Sequence, residues 1–364
     1  MTIPETMSAV VLMGHGGFEK LEYRTDWPTP QPGPTDVLIK VGACGLNNTD
    51  VNTRSGWYSQ TITAATSEPL GLDADTEVSG WGGPSLSFPR IQGADVVGQV
   101  VAQGADVRAD LVGKRVMVDC WLRDWNDPLN KNETGYVGSE CDGGFAQYIR
   151  VDHRNANVID SPLSDAELAT FPCSSSTAEG MLTRAGVTAR DIVLITGASG
   201  GVGSALLQLA KRRDATVVAL ASEAKHADLA RLGADVLLPR SPKNLRAALQ
   251  EKIGRDTVTV VADIVGGPAF PGLIDVLERG GRYTCSGAIA GPIVELDLRT
   301  LYLRDLTFTG STVLPPQIFP ALVSYIEQGE VQPMLAATYP LADLHAAQAA
   351  FIAKTHTGNI VVIP

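Results

Sequence analysis

Asp191-Ile-Val-Leu-Ile-Thr-Gly-Ala-Ser-Gly-Gly-Val-Gly203 is the stretch of the chain that decides the fold. Its first half is a short apolar run, which is typical of a parallel strand buried on both faces. Its second half is rich in glycine and leads directly into residues 202–210, where apolar side chains recur at helical spacing. The stretch therefore predicts a strand, a tight turn and a helix in succession.

The glycines in this turn form a phosphate-binding pattern. Ala198 stands where the G-x-G-x-x-G pattern has its first glycine, while Gly200 and Gly203 keep the other two. A small residue permits the tight turn, Gly200 lets the backbone approach a pyrophosphate, and Gly203 allows close packing of helix on strand. The helix N-terminus attracts the anion. We predict a dinucleotide site with contacts from Ala198, Ser199, Gly200, Gly201, Val202 and Gly203.

The segments that follow alternate between strands and helices. Residues 216–220, 258–262 and 281–285 resemble buried strands, and residues 223–232 resemble a helix that stops at Gly233. Ser241-Pro242 is a suitable N-cap and first-turn pair for the next helix. This alternation predicts an α/β fold with a doubly wound parallel sheet.

The end of the second strand favours NADPH over NADH. NAD sites carry an acidic residue there to hold the ribose hydroxyls. Here the strand ends without a carboxylate, and Glu223 falls in the first turn of the next helix. Ser222 and Lys225 lie close by and suit a 2′-phosphate. The alternative is that Ser222 only caps the helix and that Lys225 is solvated.

The first 160 residues show a different sequence pattern. Short alternating segments between Gly and Pro turns, such as residues 36–41, 95–102 and 114–118, predict a β-rich domain. Residues 59–90 and 121–140 interrupt it and resemble long loops, which are usually functional or mobile. No internal repeat appears, and 364 residues suit two domains.

Composition excludes several function classes. The net charge of -11 opposes binding to nucleic acid and to anionic lipid. The N-terminus lacks a secretory pattern, and no apolar run is long enough to span a membrane. Five scattered cysteines indicate reduced thiols rather than a disulfide framework. We expect a cytoplasmic protein with a small-molecule substrate.

Several motifs together resemble the medium-chain dehydrogenase/reductase superfamily. They are Gly42-Ala-Cys-Gly-Leu-Asn-Asn-Thr-Asp50, Gly93-Ala-Asp-Val-Val-Gly98, Asp142-Gly-Gly-Phe-Ala-Gln-Tyr148, the glycine motif, Asp263-Ile-Val-Gly-Gly267 and Gly358-Asn-Ile-Val-Val362. The resemblance implies a GroES-like catalytic domain (residues 1–160 and 316–364), a Rossmann domain (residues 161–315) and an active site between them. It also implies cofactor contacts from Val265 and from Asn359, which replaces the family's lysine.

The zinc site of the family's alcohol dehydrogenases is altered in this chain. Cys44 and Cys173 match its two cysteine ligands, but Ala94 stands where the ligand histidine is expected. Leu46 replaces the hydroxyl residue of the proton relay, and the structural-zinc lobe with its closely spaced cysteines is missing. Zinc is therefore not expected, although Cys44, Asp95 and Cys173 remain an alternative ligand set because carboxylates also bind zinc.

The remaining pattern resembles the quinone-oxidoreductase branch of the superfamily. Asn47 and Asp50 fit its G-x-N-x-x-D pattern, and residues 54–58 resemble its R-x-G-x-Y segment. The resemblance implies that Asn47 and Tyr58 face the nicotinamide and the substrate, with Thr177 beside the nicotinamide. The alternatives are a loop-stabilising amide, an ordinary half-buried tyrosine and a helix-start threonine.

We therefore predict zinc-independent, NADPH-dependent reduction of a quinone or an α,β-unsaturated carbonyl. One alternative is an atypical zinc alcohol dehydrogenase, and another is a dinucleotide-binding protein without catalysis. A homodimer is also expected, because the strand predicted at residues 306–310 is apolar and lies near a sheet edge, where uncovered backbone promotes pairing.

Overall fold

The computed structural model describes residues 2–66 and 86–364. The strands in these ranges are β1 (Thr6–Leu12), β2 (Leu21–Pro28), β3 (Asp36–Gly45), β4 (Arg90–Ile91), β5 (Asp95–Gln103), β6 (Arg115–Val118), β7 (Trp121–Arg123), β8 (Thr134–Tyr136), β9 (Tyr148–Asp152), β10 (Ala156–Val158), β11 (Ile192–Ile195), β12 (Thr216–Ala221), β13 (Val236–Pro239), β14 (Val258–Asp263), β15 (Leu277–Cys285), β16 (Thr307–Gly310), β17 (Leu335–Pro340) and β18 (Asn359–Ile363).

The α-helices in the same ranges are α1 (Asn48–Ser55), α2 (Asp165–Leu168), α3 (Pro172–Arg184), α4 (Gly201–Arg212), α5 (His226–Arg231), α6 (Leu245–Ile253), α7 (Phe270–Asp275), α8 (Leu298–Leu303), α9 (Ile318–Glu327) and α10 (Leu344–Ala353). Short 3-10 helices cover Phe18–Lys20, His153–Asn155, Glu223–Lys225, Gly267–Ala269 and Leu341–Asp343. None of the helices in the described part of the chain is long and apolar enough to cross a membrane.

The predicted doubly wound sheet is confirmed. Its strands lie in the order β13-β12-β11-β14-β15-β16, and every neighbouring pair is parallel. In sequence order within the sheet this is 3-2-1-4-5-6, the Rossmann arrangement. The strand order reverses between β11 and β14, so the crevice for a ligand lies at the carboxyl ends of these two strands.

Helix α4 begins directly after the glycine turn, as predicted. Its apolar stripe is buried, with Leu206, Leu209 and Ala210 fully enclosed. Since α4 packs on both α3 and the strands beneath it, the turn between β11 and α4 is fixed by packing on each side.

Two helix boundaries differ from the predictions. Ser241-Pro242 does not start the next helix: α6 begins at Leu245, and the Asn244 side chain caps it by accepting a hydrogen bond from the Ala247 N–H at 3.0 Å. Asn is as good an N-cap as Ser, and this Asn is the residue whose oxygen reaches a free N–H of the first turn. The helix predicted at residues 223–232 is divided into the 3-10 turn Glu223–Lys225 and α5.

The first part of the chain forms a separate β-rich layer. Its main sheet has the order β10-β6-β5-β3-β18-β17, with β9 also paired to β3. The chain end therefore returns to this sheet, where β18 pairs antiparallel with β3 and places Val362 opposite Cys44. Helix α9 packs on α3 and shares a core with the Rossmann sheet. The division at residues 160 and 316 remains a proposal.

The segment 121–140 is not only a loop. Strands β7 and β8 form a small antiparallel sheet, in which the Trp121 and Tyr136 rings meet edge to face at 5.0 Å. Of the predicted loop at residues 59–90, residues 67–85 lie outside the described residues. The five cysteines are all free, which agrees with the expectation of thiols without a disulfide framework.

Candidate functional site

A cavity of about 580 Å³ lies at the predicted switch point. Residues that follow β11, β12 and β14 form one wall, and Asn47, Asn48 and Ala65 of the β-rich layer form part of the other. This volume is within the range of roughly 300–1,000 Å³ that is usual for ligand pockets. The predicted site residues that line it are Asn47, Ser199, Gly200, Gly201, Val202, Lys225, Val265 and Asn359.

Three of the four glycines in the turn, Gly200, Gly201 and Gly203, differ in the space around them. A Cβ at Gly203 would lie 2.6 Å from the Ala198 Cα, so only glycine permits this contact of helix and strand. A Cβ at Gly201 would lie 2.5 Å from the Ser174 Oγ, which is also too close. Gly200 meets only the Gly197 carbonyl oxygen at 3.7 Å and faces open space. The turn is therefore tightly packed at Gly201 and Gly203 and open toward the cavity at Gly200.

The loop after β14 is held by one buried carboxylate. Asp263 accepts hydrogen bonds from the Thr196 hydroxyl at 2.5 Å, the Val265 N–H at 2.8 Å and the Tyr283 hydroxyl at 2.8 Å. Thr196 immediately precedes the glycine turn, so Asp263 connects the two loops on either side of the switch point. Asp263 therefore fixes the position of the loop that contains Val265, although Asp263 itself does not line the cavity.

Asn47 lies between two buried carboxyl groups at the start of α1. Its backbone N–H donates to Asp50 at 2.7 Å, and its side-chain N–H donates to Asp95. The Cys173 N–H donates to the other oxygen of Asp95. Burial raises the pKa of both carboxyl groups to about 7, although these hydrogen bonds oppose the rise. The Asn47 amide is therefore fixed in place at the cavity wall.

Ser174 is a wall residue that sequence reasoning missed. Its hydroxyl donates to the Asn359 Oδ1 at 3.1 Å and lies 3.5 Å from the Asn47 Oδ1. Asn359 also donates to the Thr170 carbonyl oxygen at 3.1 Å, which fixes its amide. The sequence signal was its place directly after Cys173, at the start of a helix that faces the glycine turn.

Other predicted residues lie away from this wall. Tyr58 is half-buried, its hydroxyl shares hydrogen bonds with the Thr49 and Asn52 side chains, and burial raises its pKa to about 12. Thr177 hydrogen-bonds the Cys173 thiol from one turn further along α3. Ser222 makes no side-chain capping bond. Ala198 and Gly203 lie behind the glycine turn rather than at the cavity surface.

The alternative zinc ligands do not form a metal site. Across residues 2–66 and 86–364, no three His, Cys, Asp or Glu side chains are arranged to hold a metal ion. Asp95, the carboxylate of the alternative set, already accepts hydrogen bonds on both of its oxygens. This arrangement does not fit the set Cys44, Asp95 and Cys173.

Basic side chains that were not predicted line the cavity beside Lys225. They are Arg240 and Lys354, and the His356 imidazole, which is neutral near pH 7, lies among them. The Lys225 ammonium donates to the carbonyl oxygens of Lys354 at 2.9 Å and His356 at 2.5 Å. No Asp or Glu among the described residues lines the cavity, and Glu223 is exposed outside it. The wall near Lys225 therefore carries an excess of positive charge.

Comparisons with known proteins agree with this architecture. The alcohol dehydrogenase GroES-like domain family matches residues 33–162, and the zinc-binding dehydrogenase family matches residues 201–328. A solved structure from Sinorhizobium meliloti 1021, provisionally assigned as an alcohol dehydrogenase, is 45% identical with a TM-score of 0.90 and covers 100% of this chain and 98% of its own.

Two curated relatives are more distant and cover nearly as much. The acryloyl-coenzyme A reductase of Sulfurisphaera tokodaii is 26% identical across 98% of this chain and 100% of its own length. The chloroplastic NADPH-dependent alkenal/one oxidoreductase of Arabidopsis thaliana is 27% identical across 100% of this chain and 81% of its own. With the Rossmann strand order and the glycine turn, these likenesses show that the chain belongs to the medium-chain dehydrogenase/reductase superfamily of NAD(P)H-dependent oxidoreductases.

Proposed function

We propose that this protein transfers hydride from NADPH to a quinone or to an α,β-unsaturated carbonyl compound, without zinc. The observation that carries the proposal is the composition of the cavity wall. A glycine-rich helix start, basic side chains and amide groups surround a space that no described Asp or Glu side chain lines. Such a wall suits a ligand with several phosphates and an acceptor that becomes negatively charged.

The residues at the β11–α4 turn fit the pyrophosphate of a dinucleotide. The first N–H groups of α4 have no partner within the helix, and Gly200 leaves them open toward the cavity. Lys225 and Arg240 follow the ends of β12 and β13, where the adenosine ribose would be held. Because Glu223 is exposed outside the cavity, it does not repel a 2′-phosphate there. This supports NADPH rather than NADH.

The other end of the cavity suits the reacting groups. Val265, Ile289 and Ala290 offer apolar surface, while Asn47 and Ser174 offer polar groups opposite. When bound, NADPH supplies hydride to the acceptor, and the acceptor's carbonyl oxygen gains negative charge. The Asn47 amide nitrogen carries two hydrogens and uses one for Asp95, so the second is available to that oxygen.

Stabilisation by hydrogen-bond donors is sufficient only for some acceptors. A conjugated acceptor spreads the incoming charge over an enolate or a quinol, and one well-placed donor contributes about 2–4 kcal/mol. Asn47 is the cavity-wall donor that we assign to this role. We assign Tyr58 to it on the family resemblance alone, because its hydroxyl would have to exchange its bonds to Thr49 and Asn52 for one to the acceptor. The names of the two curated relatives, which refer to acryloyl and alkenal/one compounds, support a conjugated substrate.

The test is a turnover panel on the purified protein whose metal content has been measured. NADPH and NADH are each offered with a quinone, an enone and an isolated ketone, and consumption of the reduced cofactor is followed. We expect turnover with NADPH and the quinone or the enone, and little with the isolated ketone. Turnover restricted to simple alcohols and ketones with zinc present would support an alcohol dehydrogenase instead. Binding without turnover on any acceptor would support the non-catalytic alternative.

A further inference from the structure

Lys354 occupies an unusual backbone position for a lysine. It is the C-cap of α10 with φ of +53°, in the left-handed region where Gly or Asn normally ends a helix. Its side chain reaches the cavity, where the ammonium donates to the Asn48 Oδ1 at 2.9 Å and lies 3.4 Å from the centroid of the Phe351 ring. Among the described residues, no carboxylate acts on this ammonium. A strained backbone thus holds an ammonium without a carboxylate at the cavity.

The groups around Lys354 increase the positive charge further. Lys225 donates to the Lys354 carbonyl oxygen, and Arg240 lines the same cavity. His356 also lines it but is neutral near pH 7, because burial lowers its pKa to about 4. Asp228, the acidic group that acts on Lys225, is half-buried and is itself bound to the Arg231 guanidinium. Burial, and then the charge of Lys225, lower the pKa of Lys354 to about 7. No acidic side chain among the described residues that line the cavity balances these positive charges.

We propose that Lys354 binds a phosphate group of the nicotinamide dinucleotide and takes up a proton from solvent as that phosphate enters. The proposal rests on the proposed function only in that the ligand is a nicotinamide dinucleotide. Two phosphates could approach it: the pyrophosphate, which NADH and NADPH share, and the 2′-phosphate, which only NADPH carries. Either phosphate would place negative charge beside the Lys354 side chain and so favour its protonated form.

The proton gives the contact a measurable signature. In the free protein the Lys354 ammonium begins to lose its proton near pH 7, and a bound phosphate raises that pKa. Above about pH 7 binding therefore requires proton uptake, and affinity falls by up to about tenfold per pH unit. Below that pH Lys354 is already charged, so its contribution no longer changes with pH. Of the charged groups described, Lys225 acts directly on Lys354, and Asn48 and Phe351 face it without a charge of their own.

The experiment measures binding rather than turnover. Dissociation constants of NADPH and NADH are determined at about pH 6.5, 7.5 and 8.5 for the wild type and for Lys354→Met, Lys354→Arg and the exposed control Lys114→Met. We expect Lys354→Met to bind about tenfold or more weakly at the lowest pH. Lys354→Arg should bind tightly with a flatter pH profile, because its guanidinium stays charged. Calorimetry in two buffers of different ionisation enthalpy measures the proton uptake.

The two cofactors separate the outcomes. Weaker binding of NADPH alone assigns Lys354 to the 2′-phosphate, and equal weakening for both assigns it to the pyrophosphate. Unchanged binding of both in Lys354→Met, with wild-type pH profiles, overturns the proposal. If the wild type binds NADH more tightly than NADPH, the proposed preference for NADPH is wrong. The dissociation constants of Lys354→Met then still show whether Lys354 contacts the pyrophosphate. The Arg variant shows whether a lost contact or a folding defect causes the change.

Discussion

The side-chain amide of Asn47 donates a hydrogen bond to the Asp95 carboxyl group, and both residues are buried. This contact joins the start of α1 to β5, and the Cys173 N–H completes it from α3. Asn47 is therefore both a structural amide and a wall residue of the cavity. The two interpretations of its sequence motif, a loop-stabilising amide and a group facing the substrate, are compatible in this geometry.

Asn47→Ala should lower both stability and activity. Loss of the amide leaves Asp95 without one of its two donors, which costs about 1–3 kcal/mol of unfolding free energy. If Asn47 also donates to the acceptor, kcat/KM should fall by about tenfold to a thousandfold at saturating NADPH. Urea unfolding and steady-state kinetics measure the two effects. The exposed Asn132→Ala variant is the control, and unchanged kcat/KM in Asn47→Ala would restrict Asn47 to structure.

His356 should make stability depend on pH. Burial, followed by the charges of Lys354 and Lys225, lowers the pKa of this imidazole to about 4. The unfolded chain binds the proton near its ordinary pKa of about 6.5, so it binds more protons than the folded chain between these values. Stability from this residue is therefore present above pH 6.5 and is lost as the pH falls toward 4.

The comparison of wild type with His356→Gln isolates this effect from other groups. Since His356 is only half-buried, we expect the variant to gain on the order of 1 kcal/mol relative to the wild type between about pH 7 and 5. Urea unfolding without cofactor at each pH measures it. A difference between the two proteins that stays constant across this range would show that His356 titrates normally in the folded state.

The cofactor turn could be predicted because its determinants are local. Strand, glycines and helix all fall within residues 191–203, so the pattern contains its own structural context. The basic wall could not be predicted in this way. Lys225 and Lys354 are 129 positions apart and meet only because β18 returns the chain end to the first sheet. A single sequence carries no signal for that contact.

Short elements were the other source of error. Strands β7 and β8 have three residues each, too few for an alternating pattern, so the segment 121–140 resembled a loop. At Ser241-Pro242 the sequence offered a strong cap three residues before another, Asn244, and only the folded backbone selects between them. The roles of Tyr58 and Thr177 stay predictions, and the hydroxyls of both residues hydrogen-bond neighbours outside the cavity wall.

Tyr283 should influence cofactor binding although it does not line the cavity. Its hydroxyl donates to Asp263, which holds the Val265 N–H in the loop after β14. Tyr283→Phe keeps the ring contacts with Phe270 and Phe308 but removes this donor. We expect a loss of about 1.5–3 kcal/mol in unfolding free energy and a several-fold weaker binding of NADPH. Calorimetric titration tests this against exposed Tyr23→Phe; equal binding by both variants would contradict it.

We expect a second copy of the chain to cover the β16 edge of the Rossmann sheet in a homodimer. Strand β16 pairs with β15 on one side only, among the described strands. The preceding segment exposes Ile293 at 69%, Leu298 at 64% and Tyr302 at 62%, a concentration of apolar surface typical of an interface. Light scattering at micromolar concentration should give a dimer. Leu298→Lys with Tyr302→Lys should give a monomer, while Leu129→Lys, a change at an equally exposed residue elsewhere, should not.

The sharpest prediction is activity without bound zinc. Ala94 replaces the expected ligand histidine, and Leu46 replaces the relay hydroxyl; both side chains are buried and apolar. A zinc site without its histidine would be weak, and one without its relay would retain the alcohol proton. Cys44 is fully buried within the hydrophobic core of the β-rich layer. It therefore resembles a small core residue more than a ligand.

Activity should consequently survive incubation with a strong chelator. Cys44→Ala should cost mainly stability, on the order of 1 kcal/mol for a small buried group, and should reduce kcat/KM less than Tyr58→Phe. The Tyr58 change removes a hydroxyl that we assign to the acceptor, at a cost of about tenfold to a thousandfold in kcat/KM; Tyr23→Phe is its exposed control. Elemental analysis showing about one zinc per chain, with turnover abolished once the metal is stripped, would require an alcohol dehydrogenase mechanism instead.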